Sequence, residues 1–306
     1  MDSSDETAPV AWQPFTPRGV AAFALATLGR LLVVQLVVAI VAAASVVWFL
    51  HHSLFPTICE AIDQLPAEGE IRFGRLDWHG DSPVTLAEGS FLALTVDLQH
   101  SGQARSPAYF QVEFGEKEFE VYSLLGFVRV TYPKGWIVAL NRQEALPWWG
   151  AWSPAILGLT AEGVIAGLLV TWTLLATLYA VPVWLLGYFA NRQLSLGGSW
   201  RLSGAALMPG ALLMSGAICC YGSGAFDLIQ LAVAMGAHLV MGWFHLVAAP
   251  LRLPMISEAA VDKGNPFVSP AKEQAPPGGG ESRIIQQPPT GSGERQPDQA
   301  AGDSPT

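Results

Sequence analysis

Four apolar blocks, at about 31–50, 154–189, 203–221 and 228–249, constrain this chain more than any other feature. Each compares in length with the roughly 20 residues that an α-helix needs to cross a bilayer. The chain has 51% hydrophobic and only 13% charged residues, against roughly 25% charged in an ordinary soluble domain. Too little polar surface is left to cover the blocks in water. The expected fold class is an α-helical polytopic membrane protein with four transmembrane helices and a small extracytoplasmic antiparallel β-domain inserted between helices 1 and 2.

The boundaries follow from where composition changes. Residues 1–28 read as a cytoplasmic N-terminal tail, 29–50 as the first transmembrane helix and 51–152 as the β-rich domain. Helices 2–4 occupy 153–250, and 251–306 is a cytoplasmic tail too rich in Pro, Gly, Gln and Ser to form a core. The first block follows about thirty residues that include Asp2, Asp5 and Glu6. It reads as an uncleaved span, not a signal peptide. The second block is too long for one straight crossing and has no polar turn for two, so Pro182 is expected to kink it, sending 183–194 along the inner interface.

Arg18 and Arg30 precede the first span, Arg192 and Arg201 join the second to the third, and Arg252 and Lys263 follow the fourth. Basic residues in short flanks mark the cytoplasmic side, so both termini are expected there. The localisation implied is a multi-pass protein of a cell membrane, with a layout seen in the bacterial inner membrane. Trp48, Trp148, Trp149, Trp152 and Tyr221 then fall at outer helix ends, and Trp184, Tyr188, Trp200 and Trp243 at inner ends. Tryptophan anchoring at headgroup depth accounts for that pattern.

The 51–152 segment has thirteen acidic against seven basic residues and holds most of the chain's net charge of −9. Nucleic acid is excluded as a partner, because phosphate binding needs clustered Lys and Arg. A short helix over 57–65 is expected to extend the first span. Period-two alternation follows at Ile71 and Phe73, then Leu76 and Trp78 after a shift at Gly74, then 92–98 and 110–114. Gly115-Glu116-Lys117 and Pro133-Lys134-Gly135 read as turns. Five to seven strands are expected, and the run into Pro147-Trp148-Trp149 sets the domain directly on the bilayer.

Small residues four apart, Ala206 and Gly210, Ala211 and Ser215, Ala232 and Gly236, predict close packing of the last two spans. Pro209-Gly210 predicts a packed kink within the third. Cys59, Cys219 and Cys220 do not form a disulfide framework and read as small apolar residues.

No phosphate-binding glycine loop, His-Glu-x-x-His helix, nucleophile elbow or Cys-x-x-Cys pair is present. No catalytic residue, metal site or cofactor is therefore assigned. Ionisable residues inside spans are costly and usually face a partner or water. Glu162 and His238 lie at similar depth and form a candidate intramembrane polar pair. His245, seven residues beyond His238, is a weaker candidate, and the arrangement does not suit a bis-histidine haem. Within the β-domain, Asp77 with His79 and Asp97 with His100 place carboxylates near imidazoles and are weaker candidates for a metal or for acid–base chemistry.

The function expected is an interaction or sensing module that presents the outer β-domain. Its partners are the lipid bilayer and another membrane or extracytoplasmic protein. A small ion-coupled carrier using Glu162 and His238 is the first alternative, and a membrane-bound enzyme acting at the outer surface is the second.

Overall fold

A computed structural model describes residues 12–256. The expected tails therefore fall outside the described residues except for 12–28 and 251–256. After a short helix α1 (Pro17–Ala22), α2 (Leu28–Phe49) carries the first apolar block, with the Thr27 hydroxyl capping it through the Arg30 N–H. A π-helical turn, Leu50–Leu54, leads without interruption into α3 (Phe55–Asp63). The helical rod from Leu28 to Asp63 is 36 residues long.

Among the described residues eight strands follow, where five to seven are expected: β1 (Gly69–Arg72), β2 (Arg75–Trp78), β3 (Val84–Glu88), β4 (Leu92–Val96), β5 (Phe110–Phe114), β6 (Glu118–Ser123), β7 (Gly126–Thr131) and β8 (Ile137–Ala139). They form a three-stranded sheet in the order β2-β1-β8 and a five-stranded sheet in the order β3-β4-β5-β6-β7. The shift at Gly74 is a hairpin turn. Phe73 and Gly74 both have positive φ, which reverses the chain in two residues and pairs Arg72 with Arg75.

The five-stranded sheet is mixed where an antiparallel one is expected, because β4 and β5 run parallel. Residues 97–109 make the crossover, and a parallel pair needs a connection of about a dozen residues or more. That loop returns across one face of the sheet and covers it. The opposite face packs on α3, where Ala61 joins Ile71, Leu86, Val96 and Tyr132 in the domain core.

The chain re-enters the helical part through α4 (Arg142–Phe189), whose Asn141 cap accepts the Glu144 N–H. Its 48 residues make a helix about 72 Å long. The helix runs unbroken through Pro182 to Phe189, so 183–189 continue it where a separate interfacial segment is expected. The third apolar block divides into α5 (Leu196–Ala206) and α6 (Met208–Gly222), with the break at Leu207. Pro209 has no N–H for the preceding turn, so the expected kink falls beside it. Helix α7 (Leu228–Ala248) starts at an Asp227–Gln230 capping box.

Among the described residues four helical segments are thus long and apolar enough to cross a membrane. Leu31, Trp172, Leu202, Met208 and Leu246 form their common core. Only 17% of the most apolar window of α4, and the same share of α7, is buried. Gly210 permits the close approach of α6 and α7: a Cβ there would stand 2.7 Å from the His238 carbonyl oxygen. Gly236 has open space around it and takes no part in that contact.

Candidate functional site

Side chains alternate across a strand, so the register decides which groups share a face. Thr95 lies opposite Glu113, Glu113 opposite Glu120, and Glu120 opposite Arg129. Gln111 and Tyr122 form a second cross-strand pair on the same face. The 97–109 loop covers this row. Gln111 donates to the Thr95 hydroxyl at 3.0 Å and to the Ala104 carbonyl at 2.8 Å, which ties the loop to the sheet.

Glu113 is fully buried and Glu120 is 2% exposed. Two buried carboxylates directly opposite one another repel unless cations intervene. His100 Nδ1 lies 2.7 Å from Glu113 and 3.7 Å from Glu120, and Arg129 reaches Glu120 at 2.5 Å and Glu118 at 3.1 Å. The Tyr122 hydroxyl donates to Glu120, and the Arg105 guanidinium lies over the Tyr122 ring. Burial acts to raise the Glu120 carboxyl. The hydrogen bonds from Tyr122 and Arg129, with the nearby charges of His100 and Arg129, outweigh it and hold Glu120 below the ordinary carboxylate range. Tyr122 is pushed up to about 12, first by burial and then by its bond to Glu120.

His100 reaches the carboxylates from a left-handed backbone conformation, φ 50°, with Gly115 beneath its ring. A Cβ at 115 would stand 2.2 Å from Nε2, so only glycine leaves room. Asp97 has a different task. It accepts the Ser101 hydroxyl and the Gln99 and Gly102 N–H groups, closing the turn that presents His100. Burial works against ionisation of Asp97, but these bonds prevail and lower its pKa.

One ligand atom each from His100, Glu118 and Glu120 lies within 4.8 Å of the others. Arg129 already bridges the two carboxylates, however, and the unpartnered Nε2 of His100 faces Gly115. The group is a closed ion network that fastens the crossover loop to the sheet. Asp77 and His79 lie elsewhere, exposed and 3.9 Å apart.

The opposite side of the domain holds a cavity of about 750 Å³. Ile58, Ile62, Leu94, Val112, Ile137 and Val138 contribute to its walls, and Trp148 and Trp149 of α4 to one end. Among the described residues Glu144 is its single ionisable lining residue. Beyond the cavity the apolar face continues across the sheet to Val128 and Val130 of β7, which are exposed.

In the helical part the structure does not bring Glu162 and His238 together. Glu162 is exposed on α4 and, among the described residues, makes no hydrogen bond or ion pair. His238 donates through Nδ1 to the Met235 carbonyl at 3.1 Å and lines an interhelical cavity of about 340 Å³. His245 is buried, donates through Nδ1 to the Met241 carbonyl at 2.8 Å, and among the described residues has no partner for Nε2. All three cysteines are free.

Glu113, Glu120, Tyr122 and Arg129 escape a reading of the sequence. Alternation in Phe110-Gln111-Val112-Glu113-Phe114 suits a polar face turned to water equally well. The signal lies in the pairing of two acidic strands, which needs a cation between them.

The chain matches no protein family, no curated protein and no solved structure.

Proposed function

We propose that this chain is an integral membrane protein with four spans, both termini on the cytoplasmic side, whose outer β-domain recruits another membrane or extracytoplasmic protein. The apolar surface left open on α4 and α7 supports insertion, and the basic short flanks support the orientation.

The observation that carries the recruiting role is the free edge of the five-stranded sheet. Among the described residues β7 pairs only with β6, and all six of its residues are exposed, including Phe127, Val128 and Val130. Soluble domains blunt such an edge with charge or a bulge. Here the one charge on β7, Arg129, is engaged by Glu118 and Glu120. An apolar edge with unpaired N–H and C=O groups accepts a strand from a partner.

A photoreactive amino acid placed at Val128 in cells tests this reading. It should trap a discrete protein adduct, whereas the same label at Glu116 in the β5–β6 turn should not. Equal adducts at both positions, or none at Val128, would remove the recruiting role.

A further inference from the structure

The cavity on the apolar side of the β-domain is lined by side chains that the ion network does not use. Its size, about 750 Å³, falls in the range of ligand sites, about 300–1,000 Å³. Apolar walls give water no hydrogen-bond partners, and close-packed proteins hold few voids of this size. We infer that the cavity is a lipid site that takes one hydrocarbon chain of a bilayer lipid, drawn up between α3 and the first turns of α4.

Position supplies the occupant. Helix α3 continues the first apolar helix through the π-helical turn, and α4 runs from the cavity into the second. The cavity therefore lies between the same two helical rods that carry the first and second apolar blocks. Tryptophan side chains gather at headgroup depth, and Trp148 and Trp149 stand at that end of the cavity. Trp149 is held edge-on by Phe55, ring centroids 4.8 Å apart, whereas Trp148 is 56% exposed and leaves an entrance.

Chemistry narrows the ligand further. Hydrocarbon needs no hydrogen-bond partner, whereas a peptide in this space would set its N–H and C=O groups against side-chain carbon on α3 and on the β4–β5 wall. Glu144 disfavours a carboxylate or phosphate inside. The chain enters and the headgroup stays at the bilayer surface.

The inference rests on the membrane placement proposed above and is independent of a partner at β7. The test uses the purified full-length protein in phosphatidylcholine vesicles containing a minor fraction of phosphatidylcholine with a diazirine at the end of one acyl chain. That position lies at the bilayer midplane in an undisturbed lipid. After irradiation, peptide mass spectrometry should find adducts at Leu94 or Val112, in the strands, as well as at Leu174 and Val240, on the open faces of α4 and α7.

Val112→Trp from one wall and Ala145→Trp from another each fill the space. Both should reduce strand labelling several-fold and leave labelling at Val240 unchanged. Adducts on the helices alone would overturn the lipid site and leave the four-span reading standing. Adducts on neither would overturn the membrane placement itself. Strand adducts undiminished in both filled variants would show that the label reaches the domain by another route and overturn the cavity as the site.

Discussion

The ring of Phe91, in the β3–β4 turn, meets the ring of Tyr221, on α6, edge-on with centroids 4.9 Å apart. Phe49 of α2 and Tyr109 of the crossover loop complete the cluster, each within 6.0 Å of Tyr221. Four segments distant in sequence thus join the β-domain to the helices through aromatic packing. Gly222 admits the neighbouring rings of Trp48 and Phe49, since a Cβ there would stand 2.9 Å from each.

Phe91→Ala should weaken this clasp. The expected loss is about 1–3 kcal/mol, between the value of an aromatic pair and that of a full core phenylalanine truncation. Hydrogen exchange should quicken in the β3–β4 turn and at the C-terminal end of α6, and stay unchanged in β5 and β6. Uniform quickening would show that the contact holds the domain's own core and not its seat on the helices.

The ion network predicts acid sensitivity of a stated sign. Glu120 and Asp97 have folded pKa values below their ordinary ones. Each therefore adds stability that is present at neutral pH and lost as the pH falls through and below the unfolded carboxylate range, about 3.9–4.3. Glu120→Gln keeps the shape and removes the titration. Melting temperature followed by circular dichroism from pH ~7 to ~3 should fall less steeply in this variant than in the parent. Arg129→Met should lower stability most at neutral pH, where it leaves Glu120 charged and short of a cation. Parallel pH profiles for all three proteins would show that Glu120 has no part in the acid response.

Two glycines of the last two apolar helices should respond differently to one methyl group. Gly210→Ala drives a Cβ toward the His238 carbonyl, and overpacking of this kind costs about 1–3 kcal/mol. Gly236→Ala enters open space and should stay within about 0.5 kcal/mol of the parent. Thermal unfolding in detergent compares them. Equal losses would mean that α6 and α7 do not meet at Gly210.

Periodicity carried the helices and much of the β-domain into view, because it depends on neighbours only a few residues away. The π-helical turn at Leu50–Leu54 did not disturb that reading, since the apolar rod continues through it. Strand β7 was harder to see. Its alternation, Phe127-Val128-Arg129-Val130, is short, and both of its faces are exposed, so burial gives no contrast between them.

What the sequence determined by itself is local: four stretches too apolar to leave in water, one acidic domain between the first two, and turns such as the one where Gly74 lets the chain reverse. Those features depend on composition and on spacing within a turn or a strand. Tertiary structure alone decided which groups meet. Glu113 and Glu120 are buried because the 97–109 loop crosses their face, and alternation names two faces without saying which is covered. Glu162 and His238 were matched by counting residues along each helix, yet among the described residues no hydrogen bond or ion pair joins them, because contact depends on how α4 and α7 rotate about their own axes, which packing sets.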